Sequence, residues 1–233
     1  MNASRASDFN AQFPVIPSPF DSDVLRLATP IEHPAAEDLV EPQMAGDIRA
    51  LLAVTDTVER HRAGELRIVA PEDDYVGDHR EYVLAPFAAP KESRFSDGSY
   101  GVLYAGLAAD TALRESVHRL TRFFTDGGMA GGAIATKVQL TFRACAEVAD
   151  VRTASGGLPS IYDPEDYLIS RKCGAQMHNL KHDGLWYDSV RHHGGECLGL
   201  FVPRVVSNVR ITDRIELEWD GTRFSAVKRV ELL

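Results

Sequence analysis

Apolar residues recur along the chain at two spacings, one typical of helices and one typical of strands. The helical spacing predicts three helices, over residues 43–62, from Asp110 to about Gly127, and from 163 to about 181. Gly64 stands where a C′ glycine would end the first helix. Asp110 is predicted to cap the second, and the Asp-Pro-Glu-Asp run at 163–166 is predicted to start the third. The apolar stripe of the second helix consists of Leu113, Val117, Leu120 and Phe124.

Short apolar or alternating runs predict strands between and after these helices. They cover residues 24–28, 66–70, 82–84, 100–105, 134–142, 185–191 and 197–202. Near the C-terminus, residues 214–219 and 222–227 flank Asp220-Gly221, which predicts a hairpin because Asp-Gly supplies a turn with positive φ. Helices and strands follow in mixed order, so the fold class is α+β. We predict an irregular arm over residues 1–22 and one domain over 23–233.

Composition narrows the functional classes. The chain has 233 residues, and 25 basic against 34 acidic side chains give a net charge of −9, which disfavours general binding of nucleic acid or of an anionic membrane. Its three cysteines form no CxxC pair, which favours a reducing compartment over a disulfide framework. No secretory signal is visible, and no apolar run reaches the ~18 residues of a membrane span. The expected location is the cytoplasm.

One stretch, RFSDGSYGVLYAGLAADTALRE from Arg94 to Glu115, brings unlike chemical groups together. Arg94 beside Ser96 and a Gly-rich turn can hold a phosphate, although an arginine in a surface turn has the same pattern. Tyr104 ends a predicted strand, where it is either a stacking platform or an ordinary half-buried tyrosine. Glu115 lies opposite the apolar stripe, facing a cleft, or facing solvent in an i,i+4 ion pair with Arg119.

A second stretch contributes polar groups further along the chain. Tyr187, Ser189 and Arg191 alternate on a predicted strand, so a ligand contact through the Ser189 hydroxyl competes with a routine polar position. Ser189 does not lie in a G-x-S-x-G elbow, so a hydrolase nucleophile is not indicated. Neither a G-x-G-x-x-G motif nor a P-loop is present. Zinc binding is the remote alternative, because no recognised ligand spacing joins His178, His182, His192, His193 and Cys197.

Together, RFSDGSYGVLYAG…TALRES and GLWYDSVRHHGGECLGLF resemble the RES-domain family, closely over residues 92–202 and more loosely over 24–90. The Arg, Glu and Ser of the family name correspond to Arg94, Glu115 and Ser189. Tyr104 matches the family's strand tyrosine. Arg26 resembles the Arg of its opening strand, although the aromatic residue often found before that Arg is Leu25 here.

The resemblance implies an ADP-ribosyltransferase-like fold, a split β-sheet with helices around an NAD+ cleft. It also implies a toxin of a type II toxin–antitoxin pair whose Xre-like antitoxin covers the active site. Such toxins consume NAD+ as substrate, by transfer of ADP-ribose to a protein such as phosphoribosyl pyrophosphate synthetase, by phosphorolysis or by hydrolysis. No metal is expected. Glu115, Arg94 and Ser189 are then the expected catalytic residues, and the expected NAD+ contacts are Arg26, Arg94, Tyr104, Ser96, Ser189 and Arg191.

Three hypotheses therefore stand at the level of sequence. The first is an NAD+-consuming toxin, in which ADP-ribose transfer to a protein is favoured because the N-terminal ~90 residues enlarge the domain and can dock a protein, although they can equally serve the antitoxin. The second is a module that binds a nucleotide or a partner protein without catalysis. A metal hydrolase built on the histidines and cysteines is the third.

Overall fold

The computed structural model describes residues 13, 16–31, 57–62, 64–153 and 159–230. Seven strands of this part of the chain form one sheet, and helices pack on it, so the α+β class is confirmed. The strands are β1 (Ile16–Ala28), β2 (Leu103–Gly106), β3 (Ile134–Asp150), β4 (Gly184–Asp188), β5 (Glu196–Leu200), β6 (Val206–Trp219) and β7 (Phe224–Val230). The helices are α1 (Thr57–Arg62), α2 (Arg80–Ala88), α3 (Ala109–Asp126) and α4 (Leu168–Asn179).

The long strand β3 organises the sheet. On one edge it pairs with β1 along the whole length of that strand, from Ile16 opposite Asp150 to Ala28 opposite Val138. On its other edge, β6 occupies residues 134–144 and the short parallel strand β4 occupies 148–150. Because two strands share one edge of β3, the sheet is split at that edge.

A second separation lies between β1 and β2. The strand order β1-β2-β5-β4-β3 returns to β1 through the β1–β3 pairing, so these five strands close on themselves. The closure is narrow, because β1 and β2 pair at Leu25 and Gly106 and at no other described position. Past that point β2 loses its ladder partner on this side. The backbone groups of β2 must then find other hydrogen-bond partners.

Helix α3 seals one end of the sheet with its apolar stripe. Leu113, Val117, Leu120 and Phe124 pack against a buried cluster of Ala135, Ile215, Leu217 and Trp219. The Phe124 and Trp219 rings meet edge to face with centroids 5.5 Å apart. The stripe predicted from the sequence is therefore confirmed, and it leaves the remaining faces of α3 for polar residues.

The N-terminal prediction was wrong in one respect, because β1 begins at Ile16 and the last residues of the predicted arm belong to the sheet. Pro17 and Pro19 obscured this strand, since proline cannot donate to a ladder. Both lie where β1 pairs with β3 alone in the described chain, so an unpartnered edge tolerates them. The separation of an arm at 1–22 from a domain at 23–233 therefore does not match the sheet.

Two predicted strands are not strands. Residues 66–70 form turns, and Tyr82 and Leu84 lie in helix α2. A run as short as 82–84 does not distinguish a strand from a buried helix by periodicity. Four residues of α2, namely Tyr82, Val83, Leu84 and Phe87, are buried, which explains the unbroken apolar pattern.

Two helices start at other residues than predicted, because the acidic side chains expected to cap them bind other partners. Helix α3 begins at Ala109 after an N-cap at Ala108, so Asp110 is not the cap. Asp163 accepts the backbone N–H groups of Glu165 and Asp166 at 2.8 and 2.7 Å, which forms a separate turn, and α4 starts only at Leu168. Of the helix predicted over 43–62, residues 57–62 are helical and the rest lie outside the described residues. Gly64 follows with φ of 77°.

The remaining strand predictions are confirmed with adjusted bounds. The run at 100–105 is β2, and 134–142 is the first part of β3, which continues to Asp150. The predicted pair at 185–191 and 197–202 is the antiparallel pair β4 and β5. The Asp220-Gly221 hairpin joins β6 to β7, and Gly221 has φ of 104°, the conformation for which Asp-Gly was selected.

Candidate functional site

A short hydrogen bond joins the two motifs that lie furthest apart along the chain. The Ser189 hydroxyl donates to Oε1 of Glu115 at 2.6 Å, across 74 positions of sequence. That hydroxyl also accepts the backbone N–H groups of Arg191 at 3.2 Å and His192 at 3.0 Å. Since both N–H groups occupy its lone pairs, its proton is directed at the carboxylate.

The backbone geometry at Ser189 differs from the sequence prediction. Strand β4 ends at Asp188, so Ser189 begins a turn rather than continuing the strand, and the alternation of Tyr187, Ser189 and Arg191 on one strand face is wrong. The Ser189 N–H donates to Gly195 O at 2.8 Å, and Gly195 N–H donates to His192 O at 2.8 Å. A closed loop over 189–195 therefore presents the serine to helix α3.

Three side chains clamp this loop to the start of α3. Nδ1 of His192 lies 2.8 Å from the Thr111 hydroxyl, and Nε2 lies 3.2 Å from Oδ2 of Asp110. Thr111 is fully buried, and an added Cβ at Gly195 would come within 2.6 Å of its hydroxyl oxygen. The clamp explains why Asp110 does not cap the helix, because its carboxylate faces His192 and Arg114. It also holds the loop so that Ser189 lies beside Glu115 on α3.

Tyr104 is the third motif residue of the site and lies in β2. Its hydroxyl is 2.9 Å from Oγ of Ser93 and accepts the Phe95 N–H at 3.1 Å, so the phenol fixes the turn that carries Arg94. Burial raises the pKa of Tyr104, which keeps the phenol neutral. An added Cβ at Gly199 would lie 3.4 Å from the tyrosine ring, so Gly199 permits the ring to lie against β5.

Arg26 spans the separation between β1 and β2. Its Nη1 donates to the carbonyl oxygen of Tyr104 at 2.9 Å, which supplies the partner that β2 lost where its pairing with β1 stops. Nε of Arg26 is buried, and it has no hydrogen-bond partner in the part of the chain that the structure describes. Burial and the charge of Arg119 lower the pKa of Arg26 to about 9.

Arg94 and Arg191 both hold one segment, residues 161–167. Nη1 of Arg94 donates to the carbonyl oxygens of Ile161 at 3.2 Å and Asp163 at 2.9 Å, and the guanidinium lies 4.5 Å from the centre of the Tyr167 ring. Arg191 donates to the Pro164 carbonyl and to the Tyr167 hydroxyl at 3.4 Å. Both arginines thus have mostly neutral oxygen partners, which leaves their charges available to an anion.

Ser96 is placed away from the surface. It is fully buried, its hydroxyl donates to Tyr100 O at 2.7 Å, and it accepts the Gly98 N–H at 3.0 Å. These bonds close the Gly-rich turn from within. The structure therefore does not bring Ser96 to the other predicted NAD+ contacts, and the turn that it stabilises positions Arg94 instead.

The electrostatics of two buried neighbours show that the motif residues share one region. Burial raises the pKa of Cys197 to about 12, and the Glu115 charge adds to that effect while Arg94 opposes it. Burial likewise raises the pKa of Tyr187, whose phenol feels Glu115, Tyr104 and Arg94 as well. The charges of Glu115 and Arg94 therefore act on both buried side chains.

Sequence reasoning missed His118 beside Glu115 and considered Arg119 only as an ion-pair partner. His118 lies three positions after Glu115 on α3, and its buried Nε2 has no hydrogen-bond partner among the described residues. Burial and Arg191 lower the pKa of His118. Arg119 makes no ion pair with Glu115, against the alternative considered from spacing, and its charge acts on Arg26 and on Lys137. Their spacings of i+3 and i+4 from Glu115, which place them on the same side of the helix as Glu115, were the sequence signal that could have identified them.

Groups outside the motifs add little chemistry. The part of the chain that the structure describes contains no cluster of three or more His, Cys, Asp and Glu side chains able to hold a metal. His178 stacks on Tyr100 with ring centroids 4.1 Å apart, which is a packing contact. Within the described ranges, no helix is long and apolar enough to cross a membrane.

Two surface cavities contain none of the motif residues. One of about 420 Å³ lies where β1 meets β3, and is lined by Pro17, Pro19, Phe20, Asp21, Cys145, Ala146, Glu147 and Asp183. The other, of about 340 Å³, borders the 161–167 segment and includes Tyr162 and Asp163. The motif residues lie instead on α3, on the 189–195 loop and on β2 with the turn that precedes it.

Comparison with known proteins gives three results. No curated protein matches this chain. Among solved structures, it is similar to a chain of the M. tuberculosis MbcT–MbcA toxin–antitoxin complex, with 8% sequence identity, a TM-score of 0.45 and coverage of 93% of both chains. The RES domain matches residues 65–220, which hold Arg94, Tyr104, Glu115 and Ser189. The chain therefore belongs to the RES-domain family.

Proposed function

We propose that this protein is the toxin of a type II toxin–antitoxin pair, and that it cleaves the nicotinamide–ribose bond of NAD+ and transfers ADP-ribose to a protein. The observation that carries this proposal is the 2.6 Å bond between Ser189 and Glu115. It joins the family's Ser and Glu in one place, beside the turn that holds the Arg. A non-catalytic module would have no need for a carboxylate so oriented.

Glu115 supplies what the bond cleavage needs. Departure of nicotinamide leaves positive charge on the ribose, in an oxocarbenium-like transition state similar to that of glycoside cleavage. A fixed carboxylate stabilises that charge without reorganising during the reaction. Ser189 holds one carboxylate oxygen, so the other remains for the ribose or its hydroxyls. The loop clamp through His192 keeps this arrangement in place.

Tyr104 and the arginines suit the rest of NAD+. The Tyr104 ring, fixed by Ser93 and Phe95, offers a flat surface to the pyridine ring. Arg94 holds the 161–167 segment, and its charge acts on Cys197 and Tyr187, as that of Glu115 does, which supports a role for this cation in the same site. Arg191 lies next to Ser189 in the loop. These cations fit a substrate that carries two phosphates.

Three reactions are compatible with this proposal, and they differ in the group that accepts ADP-ribose. A protein side chain makes the enzyme an ADP-ribosyltransferase, with phosphoribosyl pyrophosphate synthetase as one possible target in this family. Inorganic phosphate makes it an NAD+ phosphorylase, and water makes it an NAD+ glycohydrolase. Each form depletes or diverts the NAD+ of the cytoplasm, where we propose that the protein acts. An Xre-like antitoxin that covers the active site is the proposed partner.

Mass spectrometry of the products tests the function directly. Purified protein is incubated with NAD+ alone, with inorganic phosphate, and with cell extract. We expect release of nicotinamide in extract together with proteins that gain an ADP-ribose mass. ADP-ribose 1″-phosphate in the phosphate arm would identify the phosphorylase, and free ADP-ribose in every arm the glycohydrolase.

A matched pair of variants controls this experiment. Glu115→Gln keeps the shape of the side chain and removes its charge, so it is expected to stop nicotinamide release. Asp126→Asn changes an exposed acid at the end of the same helix and should leave it unaltered. Absence of nicotinamide from the wild-type protein in all three arms would refute the enzyme and leave the binding module.

A further inference from the structure

One side of helix α4 lies against the turn that carries Arg94. Four residues of α4 and its N-cap recur at spacings of four, three and four, which places them on one side of the helix: Tyr167, Arg171, Gly174 and His178. Nε of Arg171 donates to the Ser93 carbonyl oxygen at 3.0 Å. His178 stacks on the Tyr100 ring with centroids 4.1 Å apart. Helix α4 therefore supports the turn on both sides of Arg94.

Gly174 makes the approach of α4 to this turn close. A Cβ added at Gly174 would overlap the carbonyl oxygen of Phe95, so only glycine lets the helix backbone come this near. Phe95 follows Arg94 directly, and its fully buried side chain shares one apolar cluster with Cys173 and Met177 of α4. The backbone position of Arg94 therefore follows from the packing of α4.

Tyr167 extends this support to the side chain of Arg94. The guanidinium carbon of Arg94 lies 4.5 Å from the centre of the Tyr167 ring, within the range of a cation–π contact. The Tyr167 hydroxyl lies 3.4 Å from Nη2 of Arg191. Tyr167 thus contacts two arginines that belong to separate motifs, RFSDG and SVRHH.

Most hydrogen-bond donors of Arg94 are left over by these contacts. Both hydrogen bonds that it makes to described residues come from Nη1, to the carbonyl oxygens of Ile161 and Asp163. A guanidinium has five N–H donors, so those of Nη2 and Nε remain for an oxyanion. Arg171 shows the contrast, because its Nη2 lies 3.1 Å from Oε2 of Glu92 in an ion pair. Arg94 is oriented by neutral groups instead, and its remaining donors suit an anionic ligand.

We propose that Tyr167 is a positioning residue of the site, which holds the guanidinium of Arg94 in place for the diphosphate of the substrate. The identity of that substrate rests on the proposed function, because NAD+ carries the diphosphate. A long arginine side chain loses rotamer entropy when a ligand fixes it, and a side chain already held against an aromatic ring loses less. Tyr167 therefore acts on binding, through Arg94, and not on the bond cleavage at Glu115.

A double-mutant cycle between Tyr167 and Arg94 tests this role. The proteins are wild type, Tyr167→Leu, Arg94→Gln and the double variant, and calorimetric titration measures their affinity for ADP-ribose. We expect Tyr167→Leu to weaken binding about five- to tenfold when Arg94 is present, and at most about twofold in the Arg94→Gln background, where no guanidinium is left to hold. In nicotinamide release, Tyr167→Leu should raise KM for NAD+ by a similar factor while kcat stays within about twofold of wild type.

Two further variants separate positioning from folding. Tyr167→Phe keeps the ring against Arg94 and loses only the long hydroxyl contact with Arg191, so its affinity should lie within about twofold of wild type. Leu168→Ala changes an exposed neighbour at the start of α4 and should bind as wild type does. An unfolding midpoint of Tyr167→Leu far below that of Leu168→Ala, with affinity lost in Tyr167→Phe as well, would indicate a structural role and overturn the proposal.

Other outcomes also contradict the role of Tyr167. Equal affinity of Tyr167→Leu and wild type would overturn it, as would the same loss in both backgrounds or a fall in kcat with KM unchanged. If Arg94→Gln binds too weakly to titrate, the rescue by Tyr167→Phe and the division between KM and kcat decide.

These failures are distinct from failure of the enzyme. A wild-type protein that binds ADP-ribose with the expected coupling but releases no nicotinamide refutes only the catalytic function. One that releases nicotinamide with no coupling between Tyr167 and Arg94 refutes only the positioning role. A protein that neither binds ADP-ribose nor releases nicotinamide would overturn both.

Discussion

The two sides of helix α3 make opposite use of their residues. On one side, Leu113, Val117, Leu120 and Phe124 are packed against the β6–β7 end of the sheet. On the other, Glu115 accepts a hydrogen bond from Ser189, whereas among the described residues Arg119 has no acid partner and Nε2 of His118 has no hydrogen bond. One side of the helix thus serves stability, and the other carries the polar groups of the proposed site.

This difference shows how stability and function divide within one element. The packed side gains free energy from burial of apolar surface, and it can hold the helix firmly. On the polar side, the buried Nε2 of His118 has no hydrogen-bond partner among the described residues, which costs stability, and the function proposed above assigns this side to the substrate. Perturbed polar groups concentrate at functional sites for this reason. Substitutions on the two sides should therefore affect different measurements.

The largest expected effect comes from the polar side, with Glu115→Gln. The amide keeps a hydrogen bond with Ser189 but carries no charge for the developing cation, so we expect turnover of NAD+ to fall about 10²- to 10³-fold or more. The unfolding midpoint should stay within a few degrees of wild type. Nicotinamide release and thermal unfolding are the two measurements, and wild-type turnover in the variant would remove Glu115 from the reaction.

The reverse pattern is expected on the packed side, with Leu217→Ala. Leu217 is fully buried in the cluster that receives the α3 stripe, so truncation should cost about 2–5 kcal/mol of unfolding free energy. Turnover per folded molecule should be unchanged at a temperature well below the transition. Urea denaturation measures the first quantity. A loss of turnover as large as the loss of stability would show that the two sides are coupled.

An intermediate effect is expected where the loop meets α3, with His192→Ala. The variant breaks the contacts to Thr111 and Asp110, so Ser189 is held less firmly beside Glu115. Loss of about 1 kcal/mol of positioning corresponds to roughly a five- to tenfold fall in kcat. His193→Ala, at the exposed neighbour, is the control. Gly195→Ala, whose Cβ would press on the same contact, should reproduce the defect, and equal kcat in all variants would argue against the clamp.

The smallest effect concerns pH and His118→Gln. Burial keeps the pKa of His118 below its ordinary value of about 6.5, so the unfolded chain takes up the proton first as the pH falls. Stability is therefore lost on acidification through about 6.5 toward the lower pKa of the folded state. The variant should show a smaller shift of the urea midpoint between pH 7.5 and pH 5 than wild type or His193→Gln. An identical shift would mean that His118 is neutral in both states over this range.

Sequence patterns predicted the parts of this protein that depend on near neighbours. The α3 stripe, the Asp-Gly hairpin and the start of β3 were predicted because each depends on periodicity or turn chemistry over a few residues. Strand β1 was only partly recognised, because its prolines are tolerated by an edge that local sequence does not reveal. Helix α2 was mistaken for a strand because burial on several sides removed its period.

For the site, the motifs identified the residue types, and tertiary structure decided their roles. Sequence alone selected Glu115, Ser189, Arg94, Tyr104 and Arg26 as candidates through the family resemblance. Only the fold decided that Ser189 leaves its strand and donates to Glu115, that Ser96 is turned inward, and that Arg26 donates to the carbonyl oxygen of Tyr104. Local sequence encodes periodicity and turns, whereas a hydrogen bond across 74 residues exists only once the sheet has closed and brought α3 against the 189–195 loop.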